Sequence, residues 1–151
     1  LLQDVRSLNK RLVPKGLCLL PMRYQGNRAL LYLYRPRCLR RDLTNDLATE
    51  VLSGAGYQGK SCEQCVARLM HRLREGQEFP HEVGLFLSYP PEDVKGFIDN
   101  RAENFKCAGL WKVYGDEKRA RELFARYKRC TDIYCALWRA GSSIEQLAVP
   151  V

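Results

Sequence analysis

No apolar run in this chain approaches the ~18 residues that cross a bilayer as a helix, which excludes a transmembrane helix. The chain does not open on the apolar stretch of a secretory signal, because Leu1 begins a charged, helix-like segment. The first residue is Leu rather than Met, which leaves room for a tag, a leader or a further segment ahead of it. No internal repeat, low-complexity tract or linker is present. There is no G-x-S-x-G and no H-E-x-x-H, so the familiar nucleophile turns and zinc-protease helices are excluded. Residues 54–61, GAGYQGKS, match the strings GxGxxG and GxxxxGK[ST], but they follow a predicted helix rather than the strand both phosphate fingerprints require, and the loop reads as too loose for one. Nor is there a helix-turn-helix, an RNP sequence or a zinc-finger spacing.

What is present is length, cations and thiols. A chain of 151 residues can bury roughly two thirds of its unfolded surface and needs no disulfide or metal to fold. Its apolar content of 46% is ordinary for a globular protein, and residues 1–151 are expected to form a single globular domain. Seven cysteines, an odd number, argue against a secreted disulfide scaffold and for reduced thiols in a cytoplasm. The net charge of +8 favours an acidic partner, either a nucleic acid through counterion release or an acidic protein. Solvated helix faces explain the same charge with no partner at all.

Periodicity orders the chain. Leu1, Val5, Leu8 and Leu12 share a helix face, and Pro14 and Gly16 stop that helix. Residues 17–23 and 29–35, joined through Gly26-Asn27, predict a β-hairpin. The second of these strands is apolar on both faces and is expected to be covered on both sides. Leu39, Leu43, Leu47 and Val51 predict one helix. Ser61 and Gln64 form a capping box for the next, which Gly76 ends. Residues 81–88 predict a short apolar helix, and Pro91, Glu92 and Asp93 suit the first turn of another. Residues 106–114 alternate as a third strand, with Cys107, Gly109, Trp111 and Val113 on one face. The longest helix follows Gly115-Asp116, with a wide apolar stripe from Ala120 through Phe124, Tyr127 and Tyr134 to Trp138. A last short helix follows Ser142 or Ser143. The expectation is an α+β fold: a small antiparallel-type sheet of about three strands packed with five to seven helices.

The stretch FPHEVGLFLSYPPEDVKGFIDN, followed by KCAGLWKVYGD and YKRCTDIY, resembles a bacterial family known as domain of unknown function 3793. The resemblance covers most of the chain and is most specific from Phe79 onward. The family pattern favours glycine where this chain has Ser88, and its members tend to carry a further N-terminal stretch. The resemblance implies a bacterial cytosolic protein and implies no activity.

Several residues are candidates for function. His81 and Glu82 are neighbours, about 100° apart on a helix, so they do not converge on one atom without a third group. Glu82 after Pro80 also reads as a helix-start carboxylate, and Glu92 and Asp93 read the same way. Cys62 and Cys65 form a C-x-x-C at a helix start, the pattern of half a zinc site or of a redox pair. His81, Cys107, Cys130 and Cys135 are the available further ligands, while a place on the apolar stripe gives both thiols a packing role instead. Cys130 and Cys135 lie about 140° apart on their helix and read as packing residues, as does Cys18 in its strand. Arg37, Arg40 and Arg41, with Lys112 beside Tyr114, are candidate anion-binding residues.

The sequence therefore points to a protein of unknown function, best read as a non-enzymatic binding or regulatory module. The first alternative is a thiol-dependent metal or redox protein. The second is a nucleic-acid binder acting through basic helix faces. No cofactor is specified by the residue pattern.

Overall fold

The structure is a computed structural model and describes residues 2–76 and 78–150. Leu1, which periodicity counted in the first helix face, lies outside those residues. Helix α1, Leu2–Leu12, carries Asp4 in its first turn and Lys10 and Arg11 in its last, matching the helix dipole. A 3-10 turn, Val13–Lys15, closes on Gly16 at φ 75°, a left-handed position that glycine takes without strain.

The hairpin forms as predicted. Strand β1, Cys18–Gln25, pairs antiparallel with β2, Arg28–Tyr34. Its register shifts between Pro21 and Arg23, where Pro21 has no N–H to give the ladder. The extra residue, Met22, turns into the core and is 1% exposed. Tyr32 on the same face donates its hydroxyl to the carbonyl of Phe86 at 2.5 Å, which ties the hairpin to the chain beyond it. The expectation that β2 is covered on both sides is corrected. Helix α1 packs on β1, and Leu31 and Leu33 on the outer face of β2 remain 40% and 53% exposed. An apolar pattern states what a face prefers, not whether another element arrives to cover it.

The single helix expected from Leu39 to Val51 is two. Helix α2, Pro36–Leu43, ends at Thr44, and α3, Asp46–Gly54, starts behind Asn45. The Asn45 side chain accepts from the backbone N–H of Leu47 at 3.0 Å and of Ala48 at 3.3 Å. This cap was legible in the sequence and was overridden by the four-residue spacing of the leucines. Helix α4, Cys62–Glu75, has the Ser61/Gln64 capping box in full. Helices α5, Val83–Phe86, and α6, Pro91–Asp99, follow.

The third strand is the largest departure. Residues 107–113 fold back on themselves as β3, Cys107–Ala108, and β4, Lys112–Val113. Cys107 pairs with Val113, so Cys107, Gly109, Trp111 and Val113 do not share one strand face. The turn is pressed onto the longest helix. A Cβ on Gly109 would run into the Phe124 ring. The fold is α+β, with two separate two-stranded antiparallel sheets and eight α-helices among the described residues.

Helix α7, Glu117–Arg139, is capped by Asp116, and α8, Ile144–Leu147, by a Ser143/Gln146 capping box. Three apolar clusters hold these elements. The largest joins Met22, Leu39, Ala48, Leu69 and Phe86, and thus the hairpin with α2 to α5. The second puts Val5 and Leu12 of α1 against Leu19 and Ala148. The third joins Trp111, Val113 and Ala120, with Phe124 packed beside them. Full burial of such a side chain stabilises by ~1.5–3 kcal/mol. The stripe expected along α7 is buried only at its start. From residue 125 to 139 every residue is exposed.

Candidate functional site

The site is built by the turn between α5 and α6 and by the β3–β4 hairpin. Helix α5 stops at Leu87, and Ser88 adopts φ 58°, the left-handed region that favours glycine. Its hydroxyl donates to Asp42 Oδ2 at 2.7 Å, which anchors the turn on α2. Pro91 then opens α6.

Asp93 in the first turn of α6 does more than meet the helix dipole. It is 3% exposed. Its Oδ1 accepts from the backbone N–H groups of Tyr114 and Gly115, each at 2.8 Å, and its Oδ2 accepts from Trp111 Nε1 at 2.7 Å. One carboxylate thus fixes both ends of the β4 segment and orients the indole. The reading of Asp93 as a helix-start charge alone is corrected. Its donors lie about twenty residues away in sequence, and no local pattern announces them.

Trp111, placed in this way, is the wall of an aromatic cleft. Tyr89 stacks on it at 4.7 Å between centroids, and Phe124 meets it edge-on at 4.5 Å. Opposite stands His81, exposed, with its ring 5.2 Å from that of Phe97 and 6.4 Å from that of Phe79. The cleft between them has a volume of about 420 Å³, within the range of small-molecule sites. Its lips are apolar, because Phe79 and Leu110 line it while 59% and 57% exposed. Lys112 lines it as well. The Lys112 ammonium sits 4.6 Å from the Phe105 ring centroid and donates to the carbonyl of Ala102 at 2.7 Å. An ammonium has three N–H groups, so two remain for a ligand.

His81 and Glu82 part company, as their spacing requires. His81 faces the cleft, while Glu82 turns inward and is 3% exposed. Glu82 Oε1 accepts from Tyr57 Oη at 2.8 Å and lies 3.1 Å from Arg72 Nε. Burial, and then the bond to Glu82, pushes the Tyr57 hydroxyl pKa up. The helix-start role for Glu82 is therefore corrected. It is the buried, acidic member of an ion pair with half-buried Arg72 that ties α5 to α4. The signals that could have exposed it were Tyr57 and Arg72, both distant in sequence.

The C-x-x-C lies elsewhere, on the first turn of α4. Cys65 is buried and Cys62 half-buried against the main core. Burial pushes both thiols up, which lowers the thiolate fraction that metal or redox chemistry would use. Cys107 belongs to the Trp111 cluster, apart from them. Among the described residues no three His, Cys, Asp or Glu side chains are placed to share an ion. Cys130 and Cys135 are exposed, which corrects their reading as packing residues, and Cys18 is half-buried.

The anion-binding candidates also divide. Arg40 is held by Glu63 at 2.7 Å and Arg41 by Asp42 at 2.9 Å. Arg37 is exposed on α2 with them, whereas Lys112 stands at the cleft. Among the described residues no helix is long and apolar enough to cross a membrane.

No curated protein and no solved structure matches the chain. One family does, described as a protein of unknown function, and the match runs over residues 2–148. The turn carrying Ser88, the carboxylate of Asp93 and the Trp111 wall all fall inside that span, and the chain belongs to the DUF3793 family.

Proposed function

We propose that this protein is a binding or regulatory module rather than an enzyme, and that its ligand is a small planar aromatic molecule carrying an anionic group. The observation that supports this reading is the cleft itself, with aromatic walls, apolar exposed lips and one ammonium at the side. Stacking against Tyr89 and Trp111 favours a flat apolar body. The unspent donors of Lys112, which lines the same cleft as the exposed imidazole of His81, favour an acidic substituent. The nearest buried carboxylates are engaged in structure, Asp93 with the hairpin and Glu82 with Arg72 and Tyr57, which supports binding over turnover. Trp111 also touches Phe124 and Tyr127 of α7, so an occupied cleft has a packed route to that helix.

The test uses 2-naphthoate and its neutral counterpart 2-naphthol. Replacing Trp138 by Phe leaves Trp111 as the sole indole, since the chain has two tryptophans. Saturable quenching of Trp111 by naphthoate is expected. Lys112→Met should weaken naphthoate by about tenfold, roughly 1.4 kcal/mol, and leave naphthol unchanged. Quenching that does not saturate, or that ignores both Lys112→Met and Phe97→Ala, would end this reading.

A further inference from the structure

We infer that the exposed half of α7 is a docking surface for an acidic amphipathic helix of another protein. The stripe that packs the start of α7 on the Trp111 cluster continues into solvent. Tyr127, Tyr134, Leu137 and Trp138 follow at helical spacing on that same face, and they are 39%, 44%, 44% and 57% exposed. Three half-exposed aromatic rings and their aliphatic neighbours amount to roughly 300–400 Å² of apolar surface, the size of a functional patch. Singly scattered apolar side chains are ordinary on a protein surface, but a continuous helical stripe is not.

The charges beside the stripe select the partner. At about 100° per residue, Arg126 falls about 80° to one side of Tyr134, and Arg129 and Arg139 fall about 140° away, one on each side. Asp132, the single acidic residue between 125 and 139, is bonded to Lys128 at 2.8 Å, so the three arginines carry the net charge of this segment. A second copy of this chain, paired through the same stripe, would bring cations against cations. A helix with an apolar stripe and Glu or Asp on both borders meets the apolar surface and the cations together. This surface does not depend on the cleft being a ligand site.

The test uses the full chain and two synthetic helices of about 18 residues with the same leucine stripe, one bordered by Glu and one by Lys. Amide shifts in the labelled protein should move for residues 126–139 with the Glu peptide and not with the Lys peptide. Affinity should fall as salt rises from about 50 to about 300 mM, because the contacts are exposed. Leu137→Ser with Tyr134→Ser should abolish binding without altering the melting temperature, since both side chains are half-exposed. Arg126→Glu with Arg139→Glu should reverse the preference to the Lys peptide. Three results would overturn the proposal. One is equal binding of both peptides. Another is a concentration-dependent dimer that protects residues 126–139, which assigns the surface to a second copy. The third is an oligonucleotide that binds there, loses affinity in the arginine variant and ignores the serine variant.

Discussion

Asp93 is the residue on which the cleft depends, and its removal has a graded consequence. The carboxylate takes one bond from Trp111 Nε1 and two from backbone N–H groups while 3% exposed. Bonds to an ionised acceptor contribute ~1.5–3 kcal/mol each, and a buried donor left without a partner costs a similar amount. Asp93→Asn keeps an oxygen for Tyr114 and Gly115 but turns an NH₂ toward the indole N–H, donor against donor. Its expected cost is about 2–3 kcal/mol. Asp93→Ala removes all three acceptor contacts. Its cost should stop near about 4–5 kcal/mol, because the half-buried amides of Tyr114 and Gly115 can recruit water. For a domain of this length each kcal/mol lowers the melting temperature by about 2–4 °C. The Asn variant should therefore melt about 4–12 °C below wild type and the Ala variant about 8–20 °C below. Urea unfolding followed by circular dichroism gives the energies directly, and Trp111 emission in the Trp138→Phe background reports the wall. If Asn costs less than about 1 kcal/mol, the carboxylate is not what fixes the hairpin, and the account of the cleft is wrong.

The Glu82–Arg72 pair makes a second case. Arg72→Ala strands a buried carboxylate and should cost about 3 kcal/mol, the low end of the range because Arg72 is one third exposed. Arg72→Met combined with Glu82→Leu and Tyr57→Phe should recover most of that loss in the same urea assay. A triple variant as unstable as Arg72→Ala would refute the stranded-charge explanation. The thiols give a pH prediction. Burial raises Cys62 and Cys65, so below about 8.5 both are neutral in folded and unfolded chains alike and add no pH dependence. As pH rises past that value the unfolded chain loses its thiol protons first, and stability should fall. Serine at both positions should remove that part of the fall. At pH 8, iodoacetamide should label exposed Cys130 and Cys135 well before Cys65, as read by peptide mass; early labelling of Cys65 would contradict its burial.

Local chemistry was readable directly. The capping box at Ser61 and Gln64, the Gly26-Asn27 turn, the stop at Gly76 and the Pro91 start all depend on residues within four positions of one another. Asn45 belongs to the same class, and its cap was missed because a leucine every four residues argued for continuity. The left-handed backbone at Ser88 is a position that glycine takes without strain. The α+β class follows from this layer.

Everything that makes the cleft came from contacts distant in sequence. The three donors of Asp93, the Tyr57 and Arg72 partners of Glu82, and the press of Gly109 on Phe124 join residues 10 to 25 positions apart. The same holds for what stays uncovered. An apolar stripe predicts the same helix whether its face meets a core or water, so α7 and the outer face of β2 looked buried. Hydrophobic patterning states which side of an element prefers to leave water. Whether it does depends on the packing of the other elements, and along the second half of α7 no described element covers the stripe.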